Sequence, residues 1–133
     1  MREHVFVYGT LKTGHGNNQL LQSSIRLGDA ITSSPYDLFS LGIPYMNRAE
    51  VSHDIKVLGE LWEITEQSVM DNLDILEGVE FGHYFRETIP VRLLGSNAEF
   101  NAWAYFSGED LSIEAEDALA NTVTIDMERA FVW

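Results

Sequence analysis

Cysteine is absent from the 133 residues. Its absence excludes disulfides, thiolate metal sites and a thiol nucleophile together. Long apolar runs are missing as well. None approaches the roughly 18 residues that a membrane-crossing helix needs, so no membrane is expected as a partner. The opening MREHVFVYGTL is too short in its apolar part for a leader segment and runs straight into a polar loop. A cytoplasmic location is the expectation. Basic residues are scarce, 8 Lys and Arg against 21 Asp and Glu, giving a formal charge of -13. A chain of that charge repels phosphate backbones, so nucleic acid is not expected as a partner. Acidity is densest in GEDLSIEAED, which holds no basic residue. That run reads as solvated surface, the alternative being a face for a basic protein; the sequence names no such protein. Repeats and low-complexity linkers are also lacking. With 45% hydrophobic residues, the chain reads as one domain, residues 1–133, able to close a single core.

What is present is mostly strand. HVFVYG carries the β-branched and aromatic residues of a strand, and GNNQLLQSS after it reads as a short helix. RLGDAITSS, YDLFSLG and PYMNRAE read as short extended segments divided by Pro and Gly. KVLGELWEI is apolar on both faces, as a central strand is. The period then changes to helical in EQSVMDNLDILEG, with Thr65 placed to cap the start and Gly78 to close the end. HYFRETIPVRLL and AEFNAWAYFS read as a long hairpin joined at GSN. SIEAEDALA reads as a second helix, and TVTIDMERAFVW as a tail whose apolar end docks. Many strands with one strong helix among them give an α+β class with a mostly β core, a barrel being one form of it.

Four features could carry chemistry. The first is the loop GTLKTGHG after the opening strand. A glycine there often marks bare backbone that meets a ligand. Gly9 and Gly14 have the separation of a phosphate-binding loop, but His15 and Gly16 stand where Lys and a hydroxyl residue are required, so nucleotide hydrolysis is rejected. An ordinary strand-to-helix turn is the competing reading. The second is the set of four histidines, His4, His15, His53 and His83, which lack metal-ligand spacing, so no metal is expected. The third is the helix carboxylates. At about 100° per residue, Val69, Leu73 and Leu76 form an apolar stripe and Glu77 lies at its edge. Asp74 and then Asp71 turn toward solvent. A carboxylate at the apolar edge of a helix C-terminus has its pKa raised by desolvation and by the negative dipole end. That suits a general acid/base near neutrality; a terminal Glu swung into water is the other reading. The fourth is Glu60, at strand parity with Leu58, Trp62 and Ile64, so either hydrogen-bonded structure or part of a pocket.

VFVYGTLKTG, GELWEI, LDILEG followed by HYFRETIPV, and AWAYFS occur in this order over roughly residues 5 to 107. Together they resemble the motifs of the γ-glutamylcyclotransferase-like family, also called AIG2-like, and within it the small γ-glutamylamine cyclotransferase-like proteins. The Ser/Gly-Asp-Trp ending common in bacterial members is not matched. The resemblance implies a small mixed β-barrel with flanking helices. It implies that Tyr8, Gly9, Thr10 and Leu11 line a substrate pocket through backbone groups, that Tyr84 forms pocket wall, and that Glu77 is the catalytic acid/base. The implied partner is a small γ-glutamyl compound, cyclised to 5-oxoproline with release of an amine, without metal or organic cofactor. The alternative is an idle module of the same fold that binds a small metabolite or a protein.

Overall fold

A computed structural model describes residues 3–41, 43–48, 53–108 and 119–133. Five strands close a barrel: β1 (Glu3–Val7), β2 (Ile25–Thr32), β5 (Lys56–Ile64), β6 (Tyr84–Leu93) and β7 (Glu99–Ser107). They run in the order β1-β7-β6-β2-β5, and β5 returns to β1 in an antiparallel ladder from Glu3↔Ile64 to Val7↔Glu60. The β1–β7 pairing is parallel, through Val5↔Trp103, so the barrel is mixed. A separate hairpin of β3 (Tyr36–Leu41) and β4 (Ile43–Arg48) packs beside it, and β8 (Asn121–Ile125) with β9 (Glu128–Val132) extends the sheet beyond β5.

The barrel strands are apolar on both faces because both faces are covered. Phe6 of β1 and Tyr8 just after it, Val57 and Leu61 of β5, and Ala104 and Phe106 of β7 fill the barrel interior. Val5 and Val7, Trp62 and Ile64, and Tyr105 form the opposite face, under the single α-helix among the described residues, α1 (Gln67–Leu76). Five strands leave a narrow bore, so small residues alternate with large ones inside it. Gly59 shows how narrow it is: a Cβ there would stand 2.3 Å from the Val7 carbonyl oxygen and 2.8 Å from the Phe6 ring.

α1 buries Val69, Met70 and Leu73. Leu76, expected on the same stripe, is 40% exposed, at the last position of the helix. Thr65 does not cap the helix: Glu66 is the N-cap residue, without a side-chain bond, and the Thr65 hydroxyl donates to Ser23 O at 2.9 Å. Gly78 closes the helix as expected, in the left-handed region at φ 63°. GNNQLLQSS yields one 3-10 turn, Asn18–Leu21. The helix expected in SIEAEDALA falls almost wholly within residues 109–118, outside the described residues, as does most of the acidic run. The tail docks as a β-hairpin whose turn residues Asp126 and Met127 both have positive φ, 49° and 70°.

Candidate active site

The loop that leaves β1 is folded back on itself by short-range bonds. Lys12 N–H donates to Gly9 O at 3.0 Å, and Asn17 N–H to Thr10 O at 3.0 Å. The Asn17 side chain donates to Thr10 Oγ1 and the Asn18 side chain to Leu11 O, both at 2.8 Å. Glu60 fixes the loop from beneath. Its Oε1 accepts from Thr13 N–H at 2.9 Å, from Thr13 Oγ1 at 3.1 Å and from Trp62 Nε1 at 3.2 Å, while Arg26 approaches Oε2 at 3.3 Å. Burial alone would raise the Glu60 pKa, but these hydrogen bonds and the Arg26 charge outweigh it and hold the carboxyl below its usual range. Glu60 is therefore hydrogen-bonded structure and is not among the residues that line the neighbouring cavity.

A cavity of about 380 Å³ opens between this loop, β4, the end of α1 and the start of β6. That is the size of a site for a small organic molecule. Tyr8, Gly9, Thr10, Leu11, Glu77 and Tyr84 all line it. Among the described residues, no oxygen accepts from the N–H groups of Gly9, Thr10 or Leu11. These amides are donors in a loop that otherwise satisfies itself, and they can serve an anion or a polarised carbonyl. Glu77 sits at the helix C-cap, half-buried, and burial pushes its carboxyl up to about 7. Gly9 has a second reason to be glycine. The space over its Cα is filled by protein: a Cβ would stand 2.4 Å from Pro44 Cγ. The β3–β4 hairpin thus requires a glycine here whether or not a ligand does.

The cavity walls are tyrosines with buried bodies and committed hydroxyls. Tyr8 donates to Tyr105 O at 2.5 Å, and Tyr84 donates to Pro44 O at 3.0 Å while stacking flat on Tyr45 with ring centroids 5.5 Å apart. Burial raises the Tyr8 pKa well above the ordinary tyrosine value, with Tyr84 and Glu77 adding to it, so Tyr8 stays a neutral hydroxyl. Tyr105 donates to Asp74 Oδ1 at 2.7 Å, and Arg86 approaches Asp74 Oδ2 at 3.5 Å with its guanidinium over the Trp103 ring at 4.5 Å. Asp74, expected in solvent, is instead half-buried in this network. Tyr105, Tyr45 and His83 are wall residues that sequence reasoning did not assign. For Tyr105 a signal existed: a tyrosine in a strand otherwise buried on both faces needs a hydroxyl partner. Among the described residues, no cluster of His, Asp or Glu is arranged to hold a metal ion.

Residues 5–122 match the family model described as gamma-glutamyl cyclotransferase, AIG2-like. A provisional gamma-glutamylcyclotransferase from Methanocaldococcus jannaschii is 34% identical over 116 residues, covering 86% of this chain and 92% of the relative. A provisional gamma-glutamylcyclotransferase from Vibrio cholerae is 39% identical over 89 residues, 67% of this chain and 73% of its own. Among solved structures, an AIG2-like protein from Mus musculus superposes with a TM-score of 0.70 over 88% of this chain and 87% of that one, at 23% identity. A structure described as gamma-glutamyl cyclotransferase superposes at 0.61 over 80% of this chain and 67% of that one, at 18% identity. At those identities the superpositions establish the shared barrel fold.

Proposed function

The chain belongs to the gamma-glutamyl cyclotransferase, AIG2-like family, and from that premise we propose that it releases 5-oxoproline and an amine from a γ-glutamyl amine or γ-glutamyl peptide. One observation carries the reading: Glu77, a half-buried carboxyl with a pKa of about 7, lines the same small cavity as Gly9, Thr10 and Leu11, whose amides serve no loop carbonyl.

The chemistry needs little else. A γ-glutamyl compound holds its nucleophile, the α-amine, and its electrophile, the γ-carbonyl carbon, in one molecule. Folding the substrate brings them together, which removes much of the entropic barrier. The Glu77 carboxylate takes a proton from the α-amine as its nitrogen bonds to the γ-carbon. The Gly9, Thr10 and Leu11 amides hold the α-carboxylate or the oxyanion that develops on the carbonyl. When the bond from the γ-carbon to the leaving nitrogen breaks, Glu77 returns its proton to that nitrogen, so no proton is gained or lost overall. A carboxyl titrating near neutrality can accept and return that proton in turn.

The test is 5-oxoproline release from a panel of γ-glutamyl amines, γ-glutamyl amino acids and glutathione. Release from at least one class is expected. No release from any of them, with binding of 5-oxoproline retained, would make the protein a binding module of the same fold.

A further inference from the structure

Beside tyrosines, the loop residues and Glu77, the cavity lining includes a leucine and a histidine. Leu76, next to Glu77 in the chain, and His83 both line it. His83 lies directly over Gly78: a Cβ on that glycine would stand 2.8 Å from His83 Nδ1. Phe81 continues the surface outward, its ring 6.2 Å from that of His83. Phe81 is 77% exposed. It is carried on a 3-10 turn, Val79–Phe81, between two left-handed glycines, Gly78 and Gly82. An exposed leucine in the cavity lining and an exposed aromatic beside a lining histidine are more than scattered surface hydrophobes. No Lys or Arg lines the cavity among the described residues, so a second carboxylate on a ligand finds no cation there.

We infer that Leu76, His83 and Phe81 form the subsite for the leaving amine and select γ-glutamyl amides of apolar, especially aromatic, amines over γ-glutamyl amino acids. The inference rests on the cyclotransferase reading. If Glu77 returns the proton to the leaving nitrogen, the substituent on that nitrogen begins within a few bonds of Glu77. Leu76 and His83 line the same cavity as Glu77, and the Phe81 ring adjoins that of His83. An aryl group laid against Leu76 and the His83–Phe81 pair buries apolar area on both partners. The terminal carboxylate of a γ-glutamyl amino acid meets no lysine or arginine among the described lining residues, in a chain of formal charge -13.

The test separates binding from turnover. In a Glu77→Gln background, calorimetry gives dissociation constants for γ-glutamylbenzylamide, γ-glutamylmethylamide and γ-glutamylglycine. The benzylamide is expected to bind about tenfold tighter than the methylamide and the glycine compound weakest, a tenfold ratio being about 1.4 kcal/mol. Adding Phe81→Ser should reduce the benzyl-to-methyl ratio below about threefold, and Phe81→Leu should restore most of it. Equal binding of benzylamide and methylamide, or a ratio indifferent to Phe81→Ser, overturns the inference. So does a concentration-dependent dimer, seen by sedimentation, that Phe81→Ser abolishes without moving the ratio, because Phe81 would then serve a second copy of the chain. If the binding preference holds but the parent protein releases 5-oxoproline from no member of the full panel, the apolar selectivity stands as that of a binding site and the cyclotransferase reading fails.

Discussion

Two carboxylates one helical turn apart behave differently because of their surroundings. The expectation of Glu77 at the apolar edge of α1 follows from spacing alone, and the structure has it half-buried. Asp74 is beyond such reasoning because its partners come from elsewhere: Tyr105 is 31 residues away along the chain, on β7, and Arg86 is on β6. Helical geometry gives a direction; it does not say what strand lies in that direction. Asp74→Asn weakens the acceptor of the Tyr105 hydroxyl and removes the charge facing Arg86, whose Nη1 is buried without a hydrogen bond. The expected loss is about 1–3 kcal/mol. Asp71, exposed on the same helix, should change stability by less than about 0.5 kcal/mol on conversion to Asn. Urea unfolding of the two variants compares them, and equal effects would contradict the network. Asp71→Asn is accordingly the variant that isolates an uninvolved helix carboxylate.

At the scale of elements, strands with strong composition were legible and loops governed by distant contacts were not. β5 and the β6–β7 hairpin follow the β-branched runs and the turn at GSN. The tail hairpin was hidden because its turn is Asp126-Met127, a pair without the glycine that usually marks two positive φ angles. Much of the requirement for glycine at position 9 comes from Pro44 on β4, 35 residues downstream and invisible in the local sequence. This contact is testable as a pair. Gly9→Ala should cost about 1–3 kcal/mol by overpacking, and Pro44→Ala, which removes the colliding Cγ, should recover part of that loss in the double variant. A double-mutant cycle on thermal unfolding should give a coupling of about 0.5 kcal/mol or more. Strict additivity would mean that Gly9 and Pro44 do not press on one another. Gly78 is a sharper case, since φ 63° and His83 both oppose a side chain. Gly78→Ala should destabilise by about 1–2 kcal/mol and shift Glu77 with the helix end.

For the whole molecule, the carboxylates oppose one another in their dependence on pH. Glu60 and Glu128 are held below the ordinary value of 4.5, Glu128 chiefly by the Lys56 hydrogen bond that ties β9 to β5. The stability they contribute is present above that value and is lost as pH falls through their folded pKa values. Glu77 works in the other direction. With a folded pKa of about 7 against 4.5, its ionisation costs stability, so stability rises as pH falls from about 7 toward 4.5. Lower pH also relieves self-repulsion in a chain of charge -13. Thermal unfolding should therefore be highest near roughly pH 5–6, and Glu77→Gln should be more stable than the parent at pH 8 but not at pH 4. A parent most stable above pH 8, or a Gln variant with an unchanged profile, would contradict the buried position of Glu77. The same carboxyl is the centre of the functional account, and one comparison tests it most directly: 5-oxoproline release from a γ-glutamyl amine by the parent and by Glu77→Gln across pH 5.5–8.5, a range of about 1.5 units on either side of the Glu77 pKa of about 7. The parent's kcat/KM should rise with pH through about 7, where Glu77 ionises. The variant should turn over at least about 10²-fold more slowly at every pH and lack that rise, while binding substrate within about threefold of the parent. Equal turnover, or a Gln variant that keeps the parent's pH profile, would remove Glu77 from the reaction.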